Sequence, residues 1–138
     1  ANRVEPDLAF VLECTACHDL PPFDADAPDQ TTITRLGAGP AITVADRRTI
    51  SDPRLVRWLV QVGDAEGIPH QFRSPQHAGG TDAGSIHVSG TGVPSVTIAT
   101  PCHYLHGPNL IMHLEDWTNQ AQLLRAAWMR LDEDVLSR

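Results

Sequence analysis

Apolar and polar positions fall into blocks along this chain. Leu8-Ala-Phe-Val-Leu12 is a nearly continuous apolar run closed by Glu13. Such a run predicts a strand buried on both faces, as in a parallel sheet covered by helices. Residues 20–30 hold three prolines and three aspartates and predict a loop. Leu36-Gly-Ala-Gly-Pro40 predicts a turn, and Ala41 to Val44 a short strand. Ser51-Asp52-Pro53 is a helix start, because Ser51 or Asp52 can cap and Pro53 suits the first helical position, where its missing N–H costs nothing. Leu55, Val56, Leu59 and Val60 then repeat at helical spacing, with Gly63 and Gly67 as stop signals. Ile68 to Phe72 and the branched run Val93 to Ala99 are further strand candidates. Between them, His77 to Gly84 reads as a glycine-rich turn into a short helix. Leu114, Trp117, Ala121, Leu124, Trp128, Leu131 and Val135 recur every three or four residues and predict one long amphipathic helix with this stripe inward. Glu115 and Asp116 would sit in its first turn, where the helix dipole favours them. Strands alternating with helices imply an α/β layer architecture.

Composition narrows the partners. A chain of 138 residues with 41% hydrophobic and 20% charged residues can bury an ordinary core as one domain, or as one incomplete piece of a larger one. The formal net charge of -7 argues against a nucleic-acid backbone or an anionic membrane as partner. No apolar run reaches the ~20 residues that a membrane span needs. The start, Ala-Asn-Arg-Val-Glu-Pro, lacks the apolar core of a signal peptide and does not begin with Met, so the chain reads as processed or cut. All ten basic residues are Arg, which we read as a base-composition bias. Cys14, Cys17 and Cys102 are odd in number and fit reduced thiols in a cytoplasm better than a disulfide scaffold.

Three groups of residues could carry chemistry. Cys14-Thr-Ala-Cys17-His18 has the spacing of c-type haem attachment. Its setting is poor, since it follows a strand-like run without an export signal. A redox Cys-x-x-Cys pair should open a helix, and Leu20-Pro-Pro follows too soon. The plain reading of Cys14 and Cys17 is that of small buried apolar side chains. Second, His103 and His106 follow a strand-like run, and Glu13 ends another. Open α/β sheets bind ligands in the crevice beyond such strand ends. A carboxylate there needs a partner, and either a metal ion or an arginine would serve. His70, His77, His87 and His113 read as structural, with His87 a possible pocket wall. Third, Gly79-Gly-Thr-Asp-Ala-Gly84 could turn backbone N–H groups toward an anion, although it is neither a Walker nor a dinucleotide fingerprint.

The order Gly79-Gly-Thr-Asp-Ala-Gly84, Gly92-Val-Pro94 and Pro101-Cys-His-Tyr-Leu-His-Gly-Pro108 resembles the hallmark stretch of the dinuclear metallo-aminopeptidases of the glutamyl and tetrahedral type, metallopeptidase family forty-two. Val4-Glu-Pro-Asp7 leading into Phe10-Val-Leu-Glu13, Asp19-Leu-Pro21, Leu36 to Ile42, Ile68-Pro-His-Gln71 and the terminal helix with Glu115 and Asp116 extend the likeness over nearly the whole chain. The resemblance implies an α/β three-layer sandwich, with a mixed, largely parallel sheet covered by helices. It implies a peptide-cleaving hydrolase that uses two divalent ions, Zn or Co. By residue match, Glu13 would bind one metal and His106 the other. Gly80, Thr81, Asp82 and His103 would face substrate. The family usually has Arg where His103 stands, and often an aromatic where His70 stands.

The resemblance also implies what to expect beyond these residues. Family enzymes are more than twice this length. Their upstream half carries a His-x-Asp motif, a bridging Asp, a Glu-Glu pair that supplies the general base, and an inserted β-domain. None is visible here, so the chain reads as the C-terminal portion of the catalytic domain with two of five protein ligands. It should be inactive alone and bind metal weakly. An apolar sheet edge or face should be exposed, which predicts self-association or pairing with the upstream half. A non-catalytic binding or structural remnant of the same fold is the alternative reading. A small haem or thiol redox protein is the remote one.

Overall fold

In this computed structural model the described residues are 1–17, 19–20, 34–73 and 79–137. The expected loop at 20–30, His18 and His77 therefore lie wholly or mostly outside them. Five strands form one mixed sheet: β1 (Ala9–Ala16), β2 (Ala41–Thr43), β3 (Gln71–Arg73), β4 (Ser95–His103) and β5 (Ile111–Met112). The order is β1-β4-β2-β3, with β5 paired to the end of β4. β1 runs parallel to β4 over its full length, and β2 is parallel to β3. The β2–β4 and β4–β5 pairings are short and antiparallel. Most of the paired length is thus parallel.

Alternation along β4 separates two faces of the sheet. Val96 and Ile98 enter the main core with Ile42 of β2 and with Leu55, Leu59 and Val62 of α1 (Pro53–Glu66). Leu123 and Ala127 of α3 (Leu114–Met129) complete this layer, together with Val135 in a 3₁₀ turn over Glu133–Leu136. Thr97 points to the opposite face, where its hydroxyl meets Thr81 just ahead of α2 (Ala83–Ile86). The architecture is α/β with helices on both sides of a mixed, largely parallel sheet.

Local chemistry explains α1. The Asp52 carboxylate accepts from Arg54 N–H at 2.8 Å, and Pro53 occupies the first turn. Gly67 takes the left-handed conformation at the other end, its N–H reaching Asp64 O, while Ile68 N–H reaches Gly63 O. Gly63 is no stop signal. It lies inside the helix, where a Cβ would come 2.6 Å from His70 Nδ1.

Two expectations need correction. β1 is not buried on both faces, since Leu12 is 51% exposed. Among the described residues β1 is an edge strand, so its α3-facing side is only partly covered. The terminal helix ends at Met129, well before Val135, and its inward stripe is Asp116, Gln120, Leu123 and Ala127. The stripe read from the sequence lies one position further round. Trp117 and Trp128 are 54% and 62% exposed. With Leu12, Ala121, Leu124 and Met129 they line an apolar groove of about 450 Å³ beside β1. No helix among the described residues is long and apolar enough to cross a membrane.

Candidate metal and substrate cleft

The parallel register places Glu13 beside Ala99, and Val11 beside Thr97, on the α2 side of the sheet. Glu13 is half-buried there, and its Oε1 accepts from the N–H of Asp82 at 3.2 Å. The glycine-rich turn thus directs a backbone N–H at an anion, and the anion is the chain's own carboxylate. Gln120 fixes the same strand from the other face. Its amide donates to Glu13 O at 3.3 Å and to Ile98 O at 2.8 Å, while it accepts from the Thr100 hydroxyl at 2.9 Å.

Thr81 is held as firmly. Its hydroxyl donates to Asp46 Oδ2 at 2.8 Å, which leaves the Thr97 hydroxyl, 3.1 Å away, to donate to Thr81. Asp46 is fixed in turn by the N–H groups of Arg48 and Thr49. His106 follows β4 in a tight turn closed by Gly107 N–H to Tyr104 O. Tyr104 and His106 both adopt positive φ, at 59° and 68°. Two non-glycine residues in the left-handed region within three positions is uncommon, and such backbone clusters at functional sites.

Glu13 and His106 line one cleft of about 300 Å³, together with Cys14, Thr15, Ala16, Arg73, Gly79, Gly80, Thr81 and Leu105. Of the residues expected to face substrate, Gly80 and Thr81 belong to this wall. Asp82 contributes its N–H to Glu13. His103 is not part of the wall. It is buried, with Nε2 2.9 Å from Asp19 Oδ1. Asp19 Oδ2 accepts from Leu36 N–H, so His103 ties the end of β4 to the Leu36–Pro40 turn.

Carboxylate oxygen and imidazole nitrogen are the donors that Zn or Co accept. Glu13 and His106 fit that chemistry as two members of a donor set. Among the described residues no group of three or more His, Cys, Asp or Glu converges on one point. The thiols offer no substitute. Burial pushes the Cys17 thiol up to about 11 and the Cys102 thiol up to about 12. Burial, with the Glu13 charge beside it, also raises Cys14. Cys14 lies within β1 and Cys17 just beyond its end, not at a helix start, and protonated thiols are poor nucleophiles.

Arg73 is the cleft residue that the sequence did not point to. It looks like any arginine at a strand end. Only the fold shows that it is buried, at 7% exposure, on the wall shared by Glu13 and His106.

The fold and the cleft define a layered α/β protein with a candidate metal site on the α2 face of the sheet, Glu13 standing within β1 and not at its end as the sequence suggested. Residues 1–123 match the model of the M42 glutamyl aminopeptidase family, and the chain belongs to that family. The glutamyl aminopeptidase of Lactococcus lactis subsp. cremoris is 30% identical over 136 residues, covering 99% of this chain and 36% of that protein. An aminopeptidase of the archaeon Desulfurococcus kamchatkensis superposes with a TM-score of 0.88 at 29% identity, over 98% of this chain and 37% of that one. The TET aminopeptidase of a marine-sediment Thaumarchaeota archaeon gives a TM-score of 0.86 at 32% identity, over 98% and 36%. The chain therefore spans little more than a third of the relatives it matches.

Proposed function

We propose that this chain is the C-terminal portion of the catalytic domain of a metal-dependent aminopeptidase, which removes N-terminal residues from peptides. One observation carries the reading. Glu13 from β1 and His106 from the turn after β4, far apart in sequence, share a cleft with the Gly79–Thr81 turn. In this reading Glu13 binds one divalent cation and His106 its neighbour. Zn or Co held there would supply a water acidified enough to yield hydroxide near neutral pH. Gln120 and the Asp82 N–H keep Glu13 aimed into the cleft. Gly79, whose missing Cβ faces open space, leaves room for the peptide's first residue, whereas Gly80 lies close against the Arg48 side chain. The general base is assigned to no residue of this chain.

Two donors give each cation a single protein ligand, and tight sites use three or four. The chain by itself is therefore expected to bind Zn²⁺ or Co²⁺ weakly and to hydrolyse nothing. Supplied with the upstream portion of the fold, it is expected to gain both properties. Titration calorimetry and hydrolysis of aminoacyl p-nitroanilides, with and without that portion, check this. Glu13→Gln and His106→Ala should each lower cation affinity by at least about tenfold in the completed protein, since each removes a first ligand. Unchanged affinity in both variants sinks the assignment. Assembly belongs to the same proposal. The Pyrococcus horikoshii TET1 peptidase, 27% identical with a TM-score of 0.72, assembles into a tetrahedron or an octahedral shell. The apolar groove beside β1 is the surface that we expect to seat the upstream portion or, failing that, a second copy.

A further inference from the structure

The bond from Asp82 N–H to Glu13 depends on a platform outside the cleft wall. Ala45 and Ile50 pair across a tight loop that follows β2, and Asp46 N–H donates to Thr49 O at 2.9 Å to close it. The Asp46 carboxylate serves both this loop and the glycine-rich turn. Its Oδ1 accepts from Arg48 N–H at 2.8 Å and from Thr49 N–H at 2.9 Å, and its Oδ2 accepts from the Thr81 hydroxyl at 2.8 Å. Among the described residues Asp46 is not part of the cleft wall. The Arg48 side chain lies across the same turn. A Cβ on Gly80 would come 2.6 Å from Arg48 Cδ, one on Gly84 would come 2.6 Å from Arg48 Cβ, and Arg48 Nη2 donates to Ser85 Oγ at 3.3 Å.

The carbonyl of Thr81 and the N–H of Asp82 belong to one planar peptide group, so pinning Thr81 aims that N–H. It points at Glu13 Oε1, 3.2 Å away. The Asp82 side chain is exposed and makes no capping bond, so it offers the N–H no anchor of its own. A bond at the long end of the normal range owes its geometry to whatever holds the donor. Here that is Thr81, and behind it Asp46.

We propose that Asp46 is a positioning residue for Glu13: by pinning Thr81 it keeps the Asp82 N–H on one carboxylate oxygen and leaves the other oxygen to a cation in the cleft. The proposal deepens the reading of Glu13 as a metal ligand and rests on it. Partners of this kind orient a ligand without touching the ion. The role is geometric. In Asp46→Asn, Oδ1 can still accept two N–H groups while the amide donates to the Thr81 hydroxyl, which turns to donate to Thr97. Asp46→Ala offers neither.

Two measurements test it. In the metal-free chain, hydrogen exchange of the Asp82 N–H is followed by NMR. Asp46→Ala and Thr81→Val are expected to speed it at least about tenfold, the scale of one lost hydrogen bond, while the amides of Val96 and Ile98 in β4 keep their rates. Asp46→Asn and Thr81→Ser should stay near the parent. In the protein completed with its upstream portion, Asp46→Ala should lower Co²⁺ affinity at least about tenfold, and should lower it no further when added to Glu13→Gln. A general loss of structure would lower it in both backgrounds. Unchanged exchange of Asp82 in Asp46→Ala and Thr81→Val, Asp46→Asn as damaging as Asp46→Ala, or an equal loss of affinity in the Glu13→Gln background overturns the proposal. Should Glu13→Gln by itself leave Co²⁺ affinity intact, the metal reading of Glu13 falls, and the exchange rates alone decide whether Asp46 holds the N–H on that carboxylate.

Discussion

Asp116 accepts from Gly37 N–H at 2.7 Å and from Gly39 N–H at 2.8 Å while only 1% exposed. It binds the Leu36–Pro40 turn to the start of α3. The turn has no slack, because a Cβ on Gly39 would lie 2.2 Å from Pro69 O. Asp116→Ala strands two N–H groups and should cost about 3 kcal/mol; Asp116→Asn, which keeps one acceptor, should cost about half of that. Urea midpoints check both, and midpoints equal to the parent's would remove the clamp from the account. The sequence showed only an acidic residue in a helix's first turn, where a dipole role is the ordinary inference. Burial is a property of neighbours, and it turned that residue into a crosslink. The same holds for Arg73, whereas Glu13 stood out because a carboxylate breaks an apolar run.

The three thiols make a pH prediction. Burial raises them above the ordinary value of 9.0, so the unfolded chain ionises them first as pH rises. Their contribution is intact below about pH 9 and is lost as pH climbs toward 11 and 12, because the folded state resists losing those protons. A chain without lysine has few other groups that change charge in this range. The urea midpoint should therefore fall between pH 9 and 11. A flat profile would contradict the raised values.

Among the elements, α1 was readable from its ends, because Asp52-Pro53 and Gly67 act through local backbone chemistry that any context preserves. The expected strands at Ala41–Val44 and Val93–Ala99 located β2 and the first part of β4, but not its last four residues, Thr100–His103. Helix α3 was readable in type and misread in orientation. Its sequence offers two adjacent stripes, a mixed one through Asp116, Gln120, Leu123 and Ala127, and an apolar one through Trp117, Ala121, Leu124 and Trp128. Hydrophobic patterning favours the second. The fold buries the first, since Gln120 satisfies backbone carbonyls of Glu13 and Ile98 inside the sheet. The two-residue β5 left no pattern to read, being held only by Cys102 and His103 opposite it.

Among the described residues of the molecule as a whole, the apolar stripe and the unpaired side of β1 lie together. Phe10 and Trp128 pack ring against ring there, 6.3 Å apart at 49°, at the border of the groove. Exposed strand edges beside apolar surface recruit partners. The chain should therefore associate with itself in a concentration-dependent way, as measured by sedimentation. Trp117→Gln with Trp128→Gln should weaken this with little loss of stability, because both side chains are more than half exposed. A single monomeric species at high concentration would contradict it.

β1 has eight residues, and both its open side and Glu13 belong to them. On the proposed reading, a strand docking along that side and a cation settling on Glu13 order the same short segment. Thermodynamic linkage then requires each to tighten the other by an equal factor. Chelators should act on this protein as dissociating agents, and the docked partner should slow the escape of the ion.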